Sequence, residues 1–301
     1  MARSLRTWRL SPRQFRTVCA VALALLCIIV VTGAAVRLTG SGLGCNDWPR
    51  CNDQQLVDVS TKHSAIEQIN RLFTGLVSVS VIVAVLGSLI REPRRRDLTL
   101  LSLGLVAGMV GQIVLGGITV LVHLHPVAVQ SHFLLSMVLV ANAVVLVHRA
   151  GMPDGERVVR LTSPTVRLMR WCGAATAVAI AAGTVVTGAG PHAGDEKARR
   201  FHLAISTAAR VHSAFVWLAV ASVLALVWRL RTRAADRAVL DGPITAWMCV
   251  AVAQGAIGYV QYFSGVPAVL VAFHVAGATL LWAVTVWCYE ARLAPAADSA
   301  V

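Results

Sequence analysis

GQIVLGGITVLVHLHPVAVQSHFLL, residues 111–135, holds no Lys, Arg, Asp or Glu. Two apolar runs meet there at a short segment carrying His123 and His125, and similar runs recur along the chain. They lie at about 17–36, 64–90, 98–122, 127–147, 171–190, 203–228, 243–263 and 267–289. Each is close to the ~20 residues that a helix needs to cross the hydrocarbon core of a bilayer. Because the runs are continuous rather than alternating, they favour helices, which satisfy their own backbone hydrogen bonds, over the strands of a barrel. The expected fold class is an all-α membrane protein with eight transmembrane helices.

Composition agrees. The 301 residues are 57% hydrophobic and 14% charged, far more apolar than an average soluble domain. Most of the 27 lysines and arginines fall in the tails and in the connections at 91–97, 148–170 and 229–241. The positive-inside rule then puts both termini in the cytoplasm, with the lipid bilayer as the surrounding partner. This asymmetry accounts for the net charge of +13 without nucleic acid. The first run, at about 20 residues, exceeds the roughly 7–15 of a signal-peptide core and is expected to remain as the first helix. A multi-pass protein of a bacterial plasma membrane follows.

The run at 111–120 has a counterpart. A shift of 142 residues pairs Gln112 with Gln254, Leu115 with Ile257, Gly116 with Gly258, His132 with His274 and Asn70 with His212. "VVTGA" at 30–34 recurs at 185–189. Two parallel-repeat four-helix bundles are expected, one in residues 1–150 and one in 151–301. Gly104, Gly108, Gly111 and Gly116 read as packing glycines of the third helix, without chemistry.

An intramembrane histidine is costly unless it is paired or holds a ligand. His212 and His274, at equivalent depth on different helices, suggest axial ligands of one haem, with Arg210 near the surface for its propionates. The alternative is two core histidines bonded across helices. No tight cluster of His and Cys favours zinc. His123 and His125 read as solvated loop residues. Glu67, Asn70 and Arg71, spaced i, i+3 and i+4, share one face of the second helix. Glu67 serves either as an acid or base at a reaction site or as a simple ion-pair partner of Arg71. Its counterpart by the repeat is Ala209, so the halves share a scaffold and differ in chemistry. Cys45 and Cys51 face the oxidising side, where a disulfide is expected over two free thiols, either structural or exchanging. The glycines of "TGSGLG" carry only a weak phosphate-loop signal.

Taken together, the motifs "VVTGAAVRLTGSGLGCNDWPRCN", "IEQINRLFTG", "GQIVLGGITV" before His132, "ARVHSAFVWL" and "QGAIGYVQYF" before His274 resemble the haem A synthase family. The resemblance covers nearly the whole chain. It implies a haem b cofactor held in the C-terminal half by His212 and His274. It also implies haem O as substrate in the N-terminal half, where successive hydroxylations turn a methyl into a formyl group for cytochrome oxidase biogenesis. Glu67 matches the family's catalytic carboxylate, and Cys45 with Cys51 its cysteine pair. The family pattern in the second helix is Glu-x-x-His-Arg, whereas this chain has Asn70 at the histidine. A neutral amide is a poor axial ligand. The expected substrate site therefore holds haem iron by His132 alone, with Asn70 hydrogen-bonding a water or an oxygen species and Arg71 beside it; an impaired copy is the alternative. Implied partners are haem O synthase and an electron donor, and a homo-oligomer is left open. The competing functions are a non-catalytic b-type cytochrome relaying electrons through two haems, and a transporter.

Overall fold

The computed structural model describes residues 9–296; Arg3 and Arg6 of the N-terminal tail and the last five residues lie outside that range. Among the described residues eight helices are long and apolar enough to cross a membrane: α1 (Pro12–Leu38), α2 (Lys62–Ile90), α3 (Arg96–Leu121), α4 (Pro126–Ala150), α5 (Ser163–Ala189), α6 (Ile205–Leu230), α7 (Ala234–Phe263) and α8 (Ala268–Glu290). The protein is a multi-pass membrane protein. Two short strands, β1 (Arg157–Val159) and β2 (Leu293–Pro295), pair antiparallel.

The helix starts are written locally. Ser11 accepts from the Gln14 N–H while the Gln14 side chain accepts from the Ser11 N–H, a reciprocal cap that satisfies donors with no helical partner. Thr61 and Ser64 do the same for α2. Pro12 and Pro126 stand in first turns, where a missing N–H costs nothing. The tight turns after α3 and α7 share one backbone form, with positive φ at His123 and Leu124 and again at Gly265 and Val266. α5 and α7 both begin well before their apolar runs, and α7 carries Pro243 inside it. Hydropathy marks the membrane-crossing part of a helix, whereas here buried Asp236 extends α7 by accepting from the Thr162 and Thr165 hydroxyls at 2.7 and 2.6 Å.

Packing falls into two groups of four. α1 contacts α2 and α4, and α3 contacts α2 and α4; α5 contacts α6 and α8, and α7 contacts α6 and α8. One core gathers Phe15, Leu26, Val77, Leu105 and Leu146, the other Met169, Val223, Leu240 and Trp247. The groups meet through α4 on α5, α4 on α8 and α1 on α8. There Val30, Met137 and Val140 pack against Val275 and Val286, and the Trp282 indole N–H donates to the Met137 carbonyl at 2.8 Å.

Each face of the bundle is laced separately. Where the two tails emerge, β1 pairs with β2, fully buried Arg91 meets Asp154 at 2.8 Å, and Arg149 meets buried Glu290 at 3.0 Å. At the opposite face, the Gly42 N–H donates to the Gly194 carbonyl at 2.8 Å, His192 donates to the Val266 carbonyl at 2.8 Å, and Arg37 reaches the Thr187 carbonyl at 2.7 Å. That opposite face carries the polar residues singled out above.

Candidate functional site

α6 and α8 both start at the opposite face, and each brings its histidine inward by its second turn. The two helices are not closely packed on one another, and the rings of His212 and His274 face across the gap with centroids 6.4 Å apart and planes at 82°. Glycines keep both rings in place. A Cβ on Gly183 would lie 3.1 Å from His212 Cε1, and one on Gly258 would lie 3.1 Å from His274 Cε1. His212 Nδ1 bonds the Ala179 carbonyl at 2.9 Å. Since a carbonyl only accepts, the proton sits on Nδ1 and the lone pair of Nε2 is left for a ligand. An imidazole nitrogen bonded at about 2 Å puts its ring centre about 3.2 Å from a metal, so trans imidazoles on one iron sit about 6.4 Å apart. The observed separation of the ring centres matches that distance. Arg210 is exposed, and its Nε donates to the Ser206 carbonyl one turn back at 3.3 Å.

In the other half, His132 lies in the second turn of α4, and a Cβ on Gly116 would lie 3.4 Å from its Cε1. The other three glycines read from the sequence as packing residues of α3 do pack on its neighbour, Gly104 on Asn142, Gly108 on Leu139 and Gly111 on Leu135. Asn70 is half-buried on α2, its Oδ1 enclosed without a protein donor. A cavity of about 1450 Å³ opens at this face, lined by Leu115 and Ile118 of α3, Ala128 and Ser131 of α4, and His63 of α2. It exceeds the roughly 300–1,000 Å³ that suits a drug-sized ligand, and its lining does not include His132, Asn70 or Glu67. His123 and His125 line its mouth together with Lys197 and Arg199.

Glu67 and Arg71 come together as an i, i+4 pair, with Arg71 Nη2 2.7 Å and Nε 3.1 Å from Glu67 Oε1. They do more than pair. Glu67 Oε2 accepts the Cys45 N–H at 2.8 Å, while Arg71 donates to the carbonyls of Arg50 at 3.1 Å and Asp47 at 3.2 Å. Cys45 and Cys51 form a disulfide, both sulfurs buried, so the pair clasps the disulfide loop onto α2. Trp48 anchors the loop at a second point: a Cβ on Gly117 would lie 2.7 Å from its indole. Farther along the loop, Asp58 is held below the usual carboxylate range by hydrogen bonds from Ser60 and Asn52.

Three contributors escaped sequence reasoning as functional residues. Gln68, buried beside Glu67, has its side-chain oxygen 3.8 Å from the Cys45 sulfur. Gln112 and Gln254 counted only as repeat matches, yet each donates its amide to the backbone carbonyl of the histidine twenty residues on, His132 at 3.1 Å and His274 at 2.6 Å. That identical spacing was the available signal.

The family model described as COX15-CtaA, cytochrome oxidase assembly protein, matches residues 16–68 and 56–286. The chain belongs to the COX15-CtaA family. Curated proteins named Heme A synthase are similar over shorter stretches. One from Listeria welshimeri is 36% identical over 129 residues, 41% of this chain and 42% of that protein. One from Lysinibacillus sphaericus is 31% identical over 120 residues, 40% and 39%, and one from Geobacillus kaustophilus is 42% identical over 65 residues, 21% and 20%. The aligned part of the chain therefore spans about two fifths or less of the length of these relatives. The COX15-CtaA match takes in all the polar residues described above, from the disulfide loop to His274.

Proposed function

We propose that this protein is a haem A synthase, oxidising the methyl group of haem O to a formyl group by successive hydroxylations. The observation that carries the proposal is the unequal furnishing of equivalent positions. The C-terminal half offers His212 and His274 at the spacing of trans ligands. The N-terminal half offers His132 and Asn70 at the same register, with Glu67 one turn farther out. A scaffold with two alike sites and one carboxylate suits one resident cofactor and one substrate.

In this reading residues 1–150 form the substrate half and 151–301 the cofactor half, two parallel repeats with both termini cytoplasmic. The recurrence of the αL turns and of the two glutamine contacts supports the repeat. His212 and His274 would hold haem b, with Arg210 available to its propionates, and the group when bound would supply one-electron transfer. His132 holds the substrate iron, and Asn70 presents its free amide oxygen as an acceptor on the other side. Glu67 moves protons at the oxidised carbon from Oε1 or Oε2 once its contacts to Arg71 and Cys45 loosen. Haem O synthase supplies the substrate; each hydroxylation takes one oxygen atom from dioxygen, the other leaving as water with two electrons from a separate donor and two protons, and the diol formed by the second loses water to give the formyl group.

A second reading is favoured by one observation. Both Glu67 oxygens are engaged, which suits a purely structural clasp in a non-catalytic cytochrome. Haem profiles of cells expressing Glu67→Ala with a haem O synthase separate the two. Loss of hydroxylated and formyl haem with the resident haem retained supports catalysis, whereas an unchanged product profile supports the clasp.

A further inference from the structure

Gln112 and Gln254 have no part in the function so far, and both sit in an unusual state. Each donates its Nε2 to a carbonyl of the next helix, that of His132 in one half and of His274 in the other, and Gln112 donates to Ser136 Oγ as well, at 2.7 Å. The carbonyl fixes which end of each amide is the donor, because it only accepts. Oε1 is thereby left on the other side, and in both residues it is buried with no protein donor. The two histidines carry the complementary defect, since Nδ1 of His132 and Nδ1 of His274 are buried with no protein partner. A buried polar atom left unsatisfied costs about 1–3 kcal/mol, and here four are distributed as two acceptors and two ring nitrogens on the same helix pairs.

The two sets share the same helix pairs. Gln254 and Gly258 are four residues apart on one face of α7, and Gly258 is where the Cε1–Nδ1 edge of His274 rests, at 3.1 and 3.6 Å from a built Cβ. Gln112 and Gly116 repeat this on α3, with His132 Cε1 and Nδ1 at 3.4 and 3.9 Å. On the α8 side, Gln254 Oε1 occupies the place a Cβ on Gly277 would fill. His212 shows what a finished arrangement looks like, with Nδ1–H donated to the Ala179 carbonyl at 2.9 Å.

We propose that Gln254 and Gln112 are positioning residues that accept the Nδ1–H of His274 and His132, each through one bridging water. The inference rests on the reading of these histidines as haem ligands through Nε2. A ligating imidazole needs an acceptor for its other N–H, and a stronger acceptor makes it a more basic ligand that favours ferric iron. A site with one N–H donor and one amide acceptor a helical turn apart gives a water two of its two to four partners.

The test compares wild type, Gln254→Leu, Gln254→Glu, Gly277→Ala and His274→Ala as purified full-length proteins, reading bound-haem content and reduction potential. Leucine removes the acceptor, so the potential rises; a carboxylate strengthens it, so the potential falls. Each shift amounts to tenfold or more in the one-electron reduction equilibrium, about 59 mV. Gly277→Ala keeps the glutamine but displaces its Oε1, so it shifts the potential in the same direction as leucine. It also carries the contrast with Gln254→Glu if the leucine variant fails to accumulate. A role confined to the Nε2 bond to the His274 carbonyl is lost alike in leucine and glutamate variants. Shifts of the same sign, or none, with haem retained therefore overturn this proposal and leave the haem reading standing. A wild-type protein without haem, or a His274→Ala protein with its full complement, overturns both.

Discussion

Asn70 occupies the register that His212 holds in the other half, and its buried Oδ1 is without a protein donor. Putting a second imidazole there, by Asn70→His, is expected to convert a site with one axial histidine into one with two. The substrate haem in the purified variant then turns from a high-spin to a low-spin absorption spectrum. Glu67 is the other residue whose chemistry has no copy. Glu67→Gln preserves volume and can still accept from Cys45, so its loss of proton transfer is expected to lower turnover about 10²–10⁴-fold with resident haem unchanged, measured by haem extraction over time. The histidines and the carboxylate were legible because ionisable groups stand out inside apolar helices. The glutamines were not, because their role depends on which carbonyl the next helix presents.

At the scale of elements, the disulfide loop is the piece that packing decides. It is held by Glu67 and Arg71 from α2 and by Trp48 seated over Gly117 of α3. Gly117→Leu is expected to expel the indole, costing about 1–3 kcal/mol by overpacking and lowering Tm in detergent, with Cys45–Cys51 still formed by mass. Replacing both cysteines by serine removes a constraint worth ~2 kcal/mol for so short a loop in the chain-entropy account, and thermal unfolding of the double variant checks it. The cysteine pair could be read from its spacing and predicted side. Trp48 on Gly117 could not, since nothing local to either residue names the other. Nor did hydropathy give the true starts of α5 and α7, because their first turns lie beyond the apolar runs and are held by polar contacts such as those of Asp236.

For the whole molecule, the sequence gives eight spans and a register between halves, and the structure adds the seams. The halves join through Trp282 on Met137, Arg149 on Glu290 and Arg157 on Asp97, none of which repeats. Glu290→Ala leaves Arg149 and Arg292 without their carboxylate; breaking such a pair costs about 3–5 kcal/mol when fully buried, and with Arg149 partly exposed a loss toward the lower figure is expected in Tm. In the proposed reading a pigment fills the gap across which the rings of His212 and His274 face each other, with centroids 6.4 Å apart. The most direct measurement is the absorption spectrum and extracted-haem profile of protein purified from haem-replete cells with a haem O synthase present. The account predicts a coloured protein with haem b that disappears in His212→Ala and His274→Ala, and hydroxylated or formyl haem that disappears in His132→Ala. A folded, colourless wild-type preparation from the same cells would contradict it.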